Sequence, residues 1–117
     1  MNNCIFCKII EHSIPAKIIY EDEHILAFED IYPKAPIHLL VIPKLHIDSL
    51  LDIHSEHTLI IGHLMMQIPV IAKQKGLQQG FRTIFNTGKL GGQEVYHLHA
   101  HILGGQTTLP PMMARPH

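Results

Sequence analysis

The chain has no tryptophan and only two cysteines, Cys4 and Cys7. A lone C-x-x-C pair reads as metal or redox chemistry before it reads as a structural disulfide. No apolar run approaches the ~20 residues that a membrane span needs. The N-terminus also lacks the charged start and long apolar stretch of a secretory signal, so the expected location is cytoplasmic. Excess charge of one sign is missing too. Nine Lys and Arg stand against ten Asp and Glu, for a formal net charge of -1 with histidine neutral. Such a balance exerts no broad pull on nucleic acid or on an anionic membrane, and neither is expected as a partner. At 117 residues there is room for one domain and one modest core, and none for a separate cofactor domain.

What the chain has in excess is histidine. Eleven are present, several times an ordinary share, and they are dispersed rather than gathered in a terminal tag. Around them, the pattern predicts a short helical or knuckle-like element over 4–12 and a hairpin of strands at 17–20 and 24–29. A proline-bearing loop follows at 30–36, then a β-prone run at 38–42. Ser55 is placed to cap a helix from about Glu56 to Gln74. Its apolar set is too broad for one narrow stripe, so much of its surface should be buried, and Pro69 should bend it. Strands at 81–86 and 95–103 flank a glycine-rich loop at 87–92. This order implies an α+β domain with a mainly antiparallel five-stranded sheet, one long helix and a short N-terminal helix. The whole of 1–117 reads as a single domain, with a motif-bearing core at 4–105 and a tail at 106–117.

The chemistry concentrates in His97-Leu98-His99-Ala100-His101-Ile102-Leu103. On a strand, alternate side chains share a face, so the three histidines stand in a row ~7 Å apart at each step. Leu98, Ala100 and Ile102 take the opposite face and can enter a core. A histidine row costs hydrophobic burial and must be solvated or partnered. A merely solvated face and a plain metal site are the two bland explanations. Gly91-Gly92 and Gly104-Gly105 bracket the row and argue against the first, because glycine lets backbone amides approach a phosphate. A structural zinc site usually wants four ligands, which argues against the second.

His-x-His-x-His-x-x with apolar x resembles the signature of the histidine triad superfamily. Cys4 to Pro15, Tyr20 to Asp30, His38 to His46 and Gly91 to Gly105 all resemble its Hint branch, the purine nucleoside phosphoramidases. The resemblance covers roughly 4–105. It implies a hydrolase acting at the α-phosphorus of a purine nucleoside monophosphate derivative, an AMP or GMP phosphoramidate or acyl-nucleotide. His99 takes the role of nucleophile, forming a nucleotidyl-histidine that water then hydrolyses. His101 matches the partner of the departing group, His38 a further hydrogen-bonding partner, and His97 a group that orients the nucleophile. Asp30 matches the carboxylate that binds the ribose hydroxyls. Ile5, Phe6, Ile9 and Ile14, with Phe28, Ile31 and Leu40, match the apolar purine slot, although core packing explains each singly as well. Asn86 and Gly92 match phosphate or leaving-group contacts, with Gln93 a weaker candidate.

Some relatives carry Ser or Thr where this chain has Glu94. A carboxylate there either points away from the phosphate or meets a cationic, lysine-like leaving group. The tail lacks the Trp-Pro-Pro-type segment found in some relatives. No catalytic cofactor is implied. A structural Zn2+ is allowed, because superfamily members with the cysteine pair can hold zinc through the residues equivalent to Cys4, Cys7, His46 and His97. Relatives pair as homodimers, and the apolar long helix fits that expectation. Two other functions compete: hydrolysis of dinucleoside polyphosphates, and a nucleotide-sensing or protein-binding module whose activity is incidental.

Overall fold

Apolar residues at successive positions of 25–28 and 39–42 require a sheet covered on both faces, and that is how the chain folds. The computed structural model describes residues 3–105 and 107–113. Strands β1 (Ile18–Glu21), β2 (Ile25–Glu29), β3 (Ile37–Pro43), β4 (Arg82–Ile84) and β5 (Ala100–Gly104) form one antiparallel sheet in the order β1-β2-β3-β5-β4. Helix α1 is Ile5–Ile10 and helix α2 is Thr58–Gln74. The architecture is the α+β arrangement expected.

Period-two alternation sorts the strand residues between two cores. Ile25, Ala27, Leu39, Val41, Ala100 and Ile102 face Leu64, Ile68, Ile71 and Ala72 of α2. Leu26, Phe28, Leu40 and Ile42 face Phe6 and Ile9 of α1. Burying each such large aliphatic or aromatic side chain stabilises the fold by about 1.5–3 kcal/mol. Because α1 is only six residues long, it covers part of its face. The uncovered part is where His38 and His101 project.

Three expectations need correction. The turn Ser55–His57 is 3-10 rather than α-helical, with His54 at its start, so α2 begins at Thr58. Helix α2 is not buried over much of its surface: Leu59 is 88% and Met66 70% exposed. Pro69 stands inside α2, on its exposed side. The last strand is also shorter than expected. The β3–β5 register pairs Val41 with Ala100 and, continued past Ile42 and His99, would bring Leu98 opposite Pro43. Pro43 has no N–H to offer the ladder. Its carbonyl accepts from His97 Nε2 at 2.7 Å, and the Leu98 N–H donates instead to the Ile47 carbonyl at 2.7 Å. His97 and His99 therefore precede the regular strand. No described helix is long and apolar enough to cross a membrane.

Candidate active site

A cleft of about 480 Å3 opens on the α1 side of the sheet. That volume suits a small organic ligand. Phe6, Phe28 and Leu40 line its apolar part, with Ile5, Ile9 and Ile14 on the N-terminal side. Asp30, Ile31 and Lys34 come from the loop after β2, while Asn86, Gly92 and Glu94 come from the segment before the histidine row. His38, His99 and His101 complete it.

The alternation of the row survives even where the strand does not. Leu98, Ala100 and Ile102 are buried. On the other side, the Phe6 ring packs edge-on against both His97 and His99, with centroids 5.9 and 5.1 Å away. The His99 and His101 rings lie 5.0 Å apart.

Hydrogen bonding assigns the protons. A carbonyl can only accept, so His99 Nδ1 carries hydrogen and donates to the His97 carbonyl at 2.7 Å. In the neutral ring, the lone pair is then on Nε2. The Lys34 backbone N–H donates to His38 Nδ1 at 3.0 Å. The neutral His38 ring therefore bears its hydrogen on Nε2, 2.9 Å from His101 Nδ1 and 3.4 Å from Asp30 Oδ2. Accepting from the nearer His38 leaves His101 with its own hydrogen on Nε2.

Burial keeps these rings neutral. It lowers the pKa of His38, against the opposing charge of Asp30. It pushes His101 down to about 4, helped by the neighbouring His99 and His38. His99 is lowered by burial as well, while its bond to His97 and the charges of Asp30 and Glu94 act in the opposite sense. The site thus presents a neutral imidazole with a lone pair beside another with an N–H. That pair can attack an electrophile and protonate what leaves.

A second cluster lies beyond His97. Cys4 Sγ is 3.4 Å and Cys7 Sγ 3.6 Å from His97 Nδ1, and Cys7 Sγ is 3.2 Å from His46 Nδ1. All four ligand atoms lie within 4.8 Å of one another. Tetrahedral zinc, with bonds of ~2.3 Å to sulfur and ~2.0 Å to nitrogen, would place S and N roughly 3.5 Å apart. The far nitrogens are also engaged. His97 Nε2 donates to the Pro43 carbonyl, and His46 Nε2 lies 2.7 Å from Asp48 Oδ1. Both bonds leave Nδ1 as the ligand atom, the usual outer support of a histidine–metal bond. The donor set fits a closed Cys2His2 site.

Several expectations are refined. His97 turns its ring to the thiols, and its link to His99 is through its backbone carbonyl. Gln93 does not line the cleft. Its Oε1 accepts from the Gly88 N–H, and its Nε2 donates to the carbonyls of Asp48 and Val95, so the side chain pins the loop. Glu94 does reach the cleft. Gly92, at φ +84°, lines it as well. Gly104 and Gly105 have packing reasons instead, since an added Cβ would come within 2.7 Å of Leu77 and Pro36 respectively. Lys34 was not anticipated. Its position in the DIYPKAP loop, between Asp30 and His38, was the available signal.

An α+β sheet with a histidine row at the wall of a mainly apolar cleft defines a protein built to hold a small ligand against reactive imidazoles. The family model for the scavenger mRNA decapping enzyme C-terminal binding domain matches residues 3–115. The purine nucleoside phosphoramidase of Escherichia coli K12 is 46% identical over 111 residues, covering 94% of this chain and 92% of that protein. A 14 kDa zinc-binding protein of Zea mays is 47% identical over 110 residues, covering 92% and 86%. A HIT family hydrolase from Legionella pneumophila superposes with a TM-score of 0.88 at 44% identity, covering 93% of this chain and 98% of that one. The chain belongs to the histidine triad (HIT) family of hydrolases.

Proposed function

We propose that the chain hydrolyses purine nucleoside phosphoramidates. The purine would enter between Phe6, Phe28 and Leu40, with Ile5, Ile9 and Ile31 at its edges, and the ribose hydroxyls would donate to Asp30. His99 Nε2 attacks the α-phosphorus and the P–N bond breaks, its electron pair leaving on the amine. The amine takes the proton of His101 Nε2. Water then attacks phosphorus and returns a proton to His101, the P–Nε2 bond breaks, and the nucleoside monophosphate departs. Asn86 and Gly92 stand beside the phosphate.

One observation carries this reading: His99 Nδ1 is committed to the His97 carbonyl, so the lone pair is on Nε2. The test is mass spectrometry after mixing with a slow adenosine phosphoramidate. A nucleotidyl adduct on His99 supports it. An adduct elsewhere, or turnover by His99→Asn, defeats it.

The Cys4, Cys7, His46 and His97 cluster is read as a structural zinc site. When bound, the ion would cross-link α1 to the turn after β3 and to the histidine row, with no position open for substrate. The uncovered apolar side of α2 is read as the interface of a homodimer.

A further inference from the structure

The cleft carries an unusual charge for a site that takes an anion. Its charged lining outside the histidines is Glu29, Asp30, Glu94 and Lys34. Three of these four groups are acids. Glu29 is neutralised by Lys17 and Lys75, at 3.5 and 3.8 Å. Asp30 is taken up by the Tyr32 N–H and by His38. Lys34 directs its ammonium to the Tyr32 carbonyl at 3.1 Å. Glu94 differs: among the described residues no hydrogen bond or ion pair engages its carboxylate.

Its placement is not a matter of loop freedom. The preceding residue, Gln93, is buried and fastened by four bonds: its backbone N–H to the Gly88 carbonyl, its Oε1 from the Gly88 N–H, and its Nε2 to Asp48 and Val95. Gly92 and Val95, on either side, also line the cleft. Glu94 is thus held at the rim, exposed to solvent, near enough for its charge to act on His99. The purine slot and Asp30 lie on the wall built by α1 and β2. In the reaction proposed above, that wall takes the nucleoside, so the leaving amine would face the remaining lining, to which Glu94 belongs.

We infer that Glu94 is a specificity residue, which favours phosphoramidates whose leaving amine carries a second, cationic group. This rests on the phosphoramidate reading above and goes beyond it by naming the leaving-group class. A carboxylate repels the substrate phosphate to the same extent whatever amine is attached. That cost cancels when substrates with one nucleotide are compared. What remains is attraction to a cation, and repulsion of an anion, on the departing side. An exposed pair of unit charges gives roughly a two- to fivefold effect.

The test uses three adenosine phosphoramidates of matched length, with leaving amines ending in an ammonium, a methyl and a carboxylate. kcat/KM is measured for each with the full chain and with Glu94→Gln and Glu94→Lys. The expected order in the parent is ammonium over methyl over carboxylate, roughly two- to fivefold at each step and weaker in high salt. Glu94→Gln should flatten the series and Glu94→Lys should invert it. If Glu94 merely shaped the loop, both variants would shift all three substrates by the same factor, and the inference would be overturned. A parent that turns over all three equally also overturns it, while leaving the phosphoramidase reading intact. A parent that turns over none, yet binds adenosine monophosphate, defeats the underlying reading instead.

Discussion

His99 Nδ1 lies 2.7 Å from the carbonyl oxygen of His97, a contact between residues two apart in one segment. It fixes the ring's rotation and its tautomer together, at the point where the regular strand has not yet begun. His99→Asn keeps a side-chain N–H able to reach that carbonyl but removes Nε2, the nucleophile proposed above. Phosphoramidate turnover should fall by at least ~10³-fold, the scale on which losing a covalent nucleophile acts. The thermal midpoint should hardly move. A variant that is inactive because it is unfolded would show itself in the melting curve.

The contact between His38 and His101 makes a separate prediction. His38→Phe preserves ring volume at a buried position but removes the Nε2–H that sets the tautomer of His101. His101 would then be free to carry its hydrogen on Nδ1, where it cannot serve the leaving group. Alkylamine substrates need that proton, so their kcat should fall roughly 10- to 100-fold. A nitrophenyl ester leaves as a stabilised anion and should lose less than about threefold. Equal losses for both substrates would count against a proton-delivery role.

Much of this site can be read along the chain because it follows local alternation. Ala100 and Ile102 packing on α2 while His101 faces the cleft needs only a period of two. The early end of β5 could not be read this way. It depends on Pro43, 55 residues before Leu98, lacking an N–H at one register position. Gln93 misled for a similar reason. It stands in a glycine-rich run that suggests ligand contact, but its amide is spent on Asp48, 45 residues away. Helix α2 is the open case: its broad apolar surface predicts a cover, the single chain leaves Leu59 and Met66 exposed, and the expected cover is a second copy.

That last point is testable in solution. If a second copy covers Leu59 and Met66, the protein should sediment at twice its 13.3 kDa chain mass at micromolar concentration. Met66→Arg should shift the equilibrium toward the monomer, because a charge buried at such an interface is unpaired. A parent that sediments as a stable monomer would remove the dimer from the functional picture.

The Cys2His2 cluster predicts one zinc per chain by elemental mass spectrometry, lost in the double variant Cys4→Ser, Cys7→Ser. Metal that binds only the folded chain adds its binding free energy to stability. A loss of 2 to 3 kcal/mol would lower the midpoint by roughly 10 °C. Added zinc should then raise the midpoint of chelator-treated parent and leave that of the variant alone. If neither protein holds zinc and their midpoints agree, the four side chains are packing partners only.

Acid should act on the fold through a group far from the cleft. Asp22 Oδ2 accepts from the Tyr20 hydroxyl at 2.7 Å and from His63 Nε2 of α2 at 2.6 Å, while Oδ1 accepts from the N–H groups of His24 and Ile25. Burial alone would raise the pKa of this carboxyl, but the bonds from His63, Tyr20 and the backbone outweigh it and hold the pKa well below the ordinary carboxylate range. A carboxyl depressed in the folded state adds stability above its unfolded pKa of ~3.9, and that contribution is lost as pH falls from there toward the folded value. Asp22→Asn cannot titrate and is the reference. At pH 5 the variant should melt several degrees below the parent, in line with about 1.5–3 kcal/mol for hydrogen bonds to a charged group. Between pH 5 and pH 2.5 the gap should narrow, because only the parent loses the contribution. A gap that stays constant over that span would mean that Asp22 links the β1–β2 turn to α2 by shape alone, with its charge adding nothing.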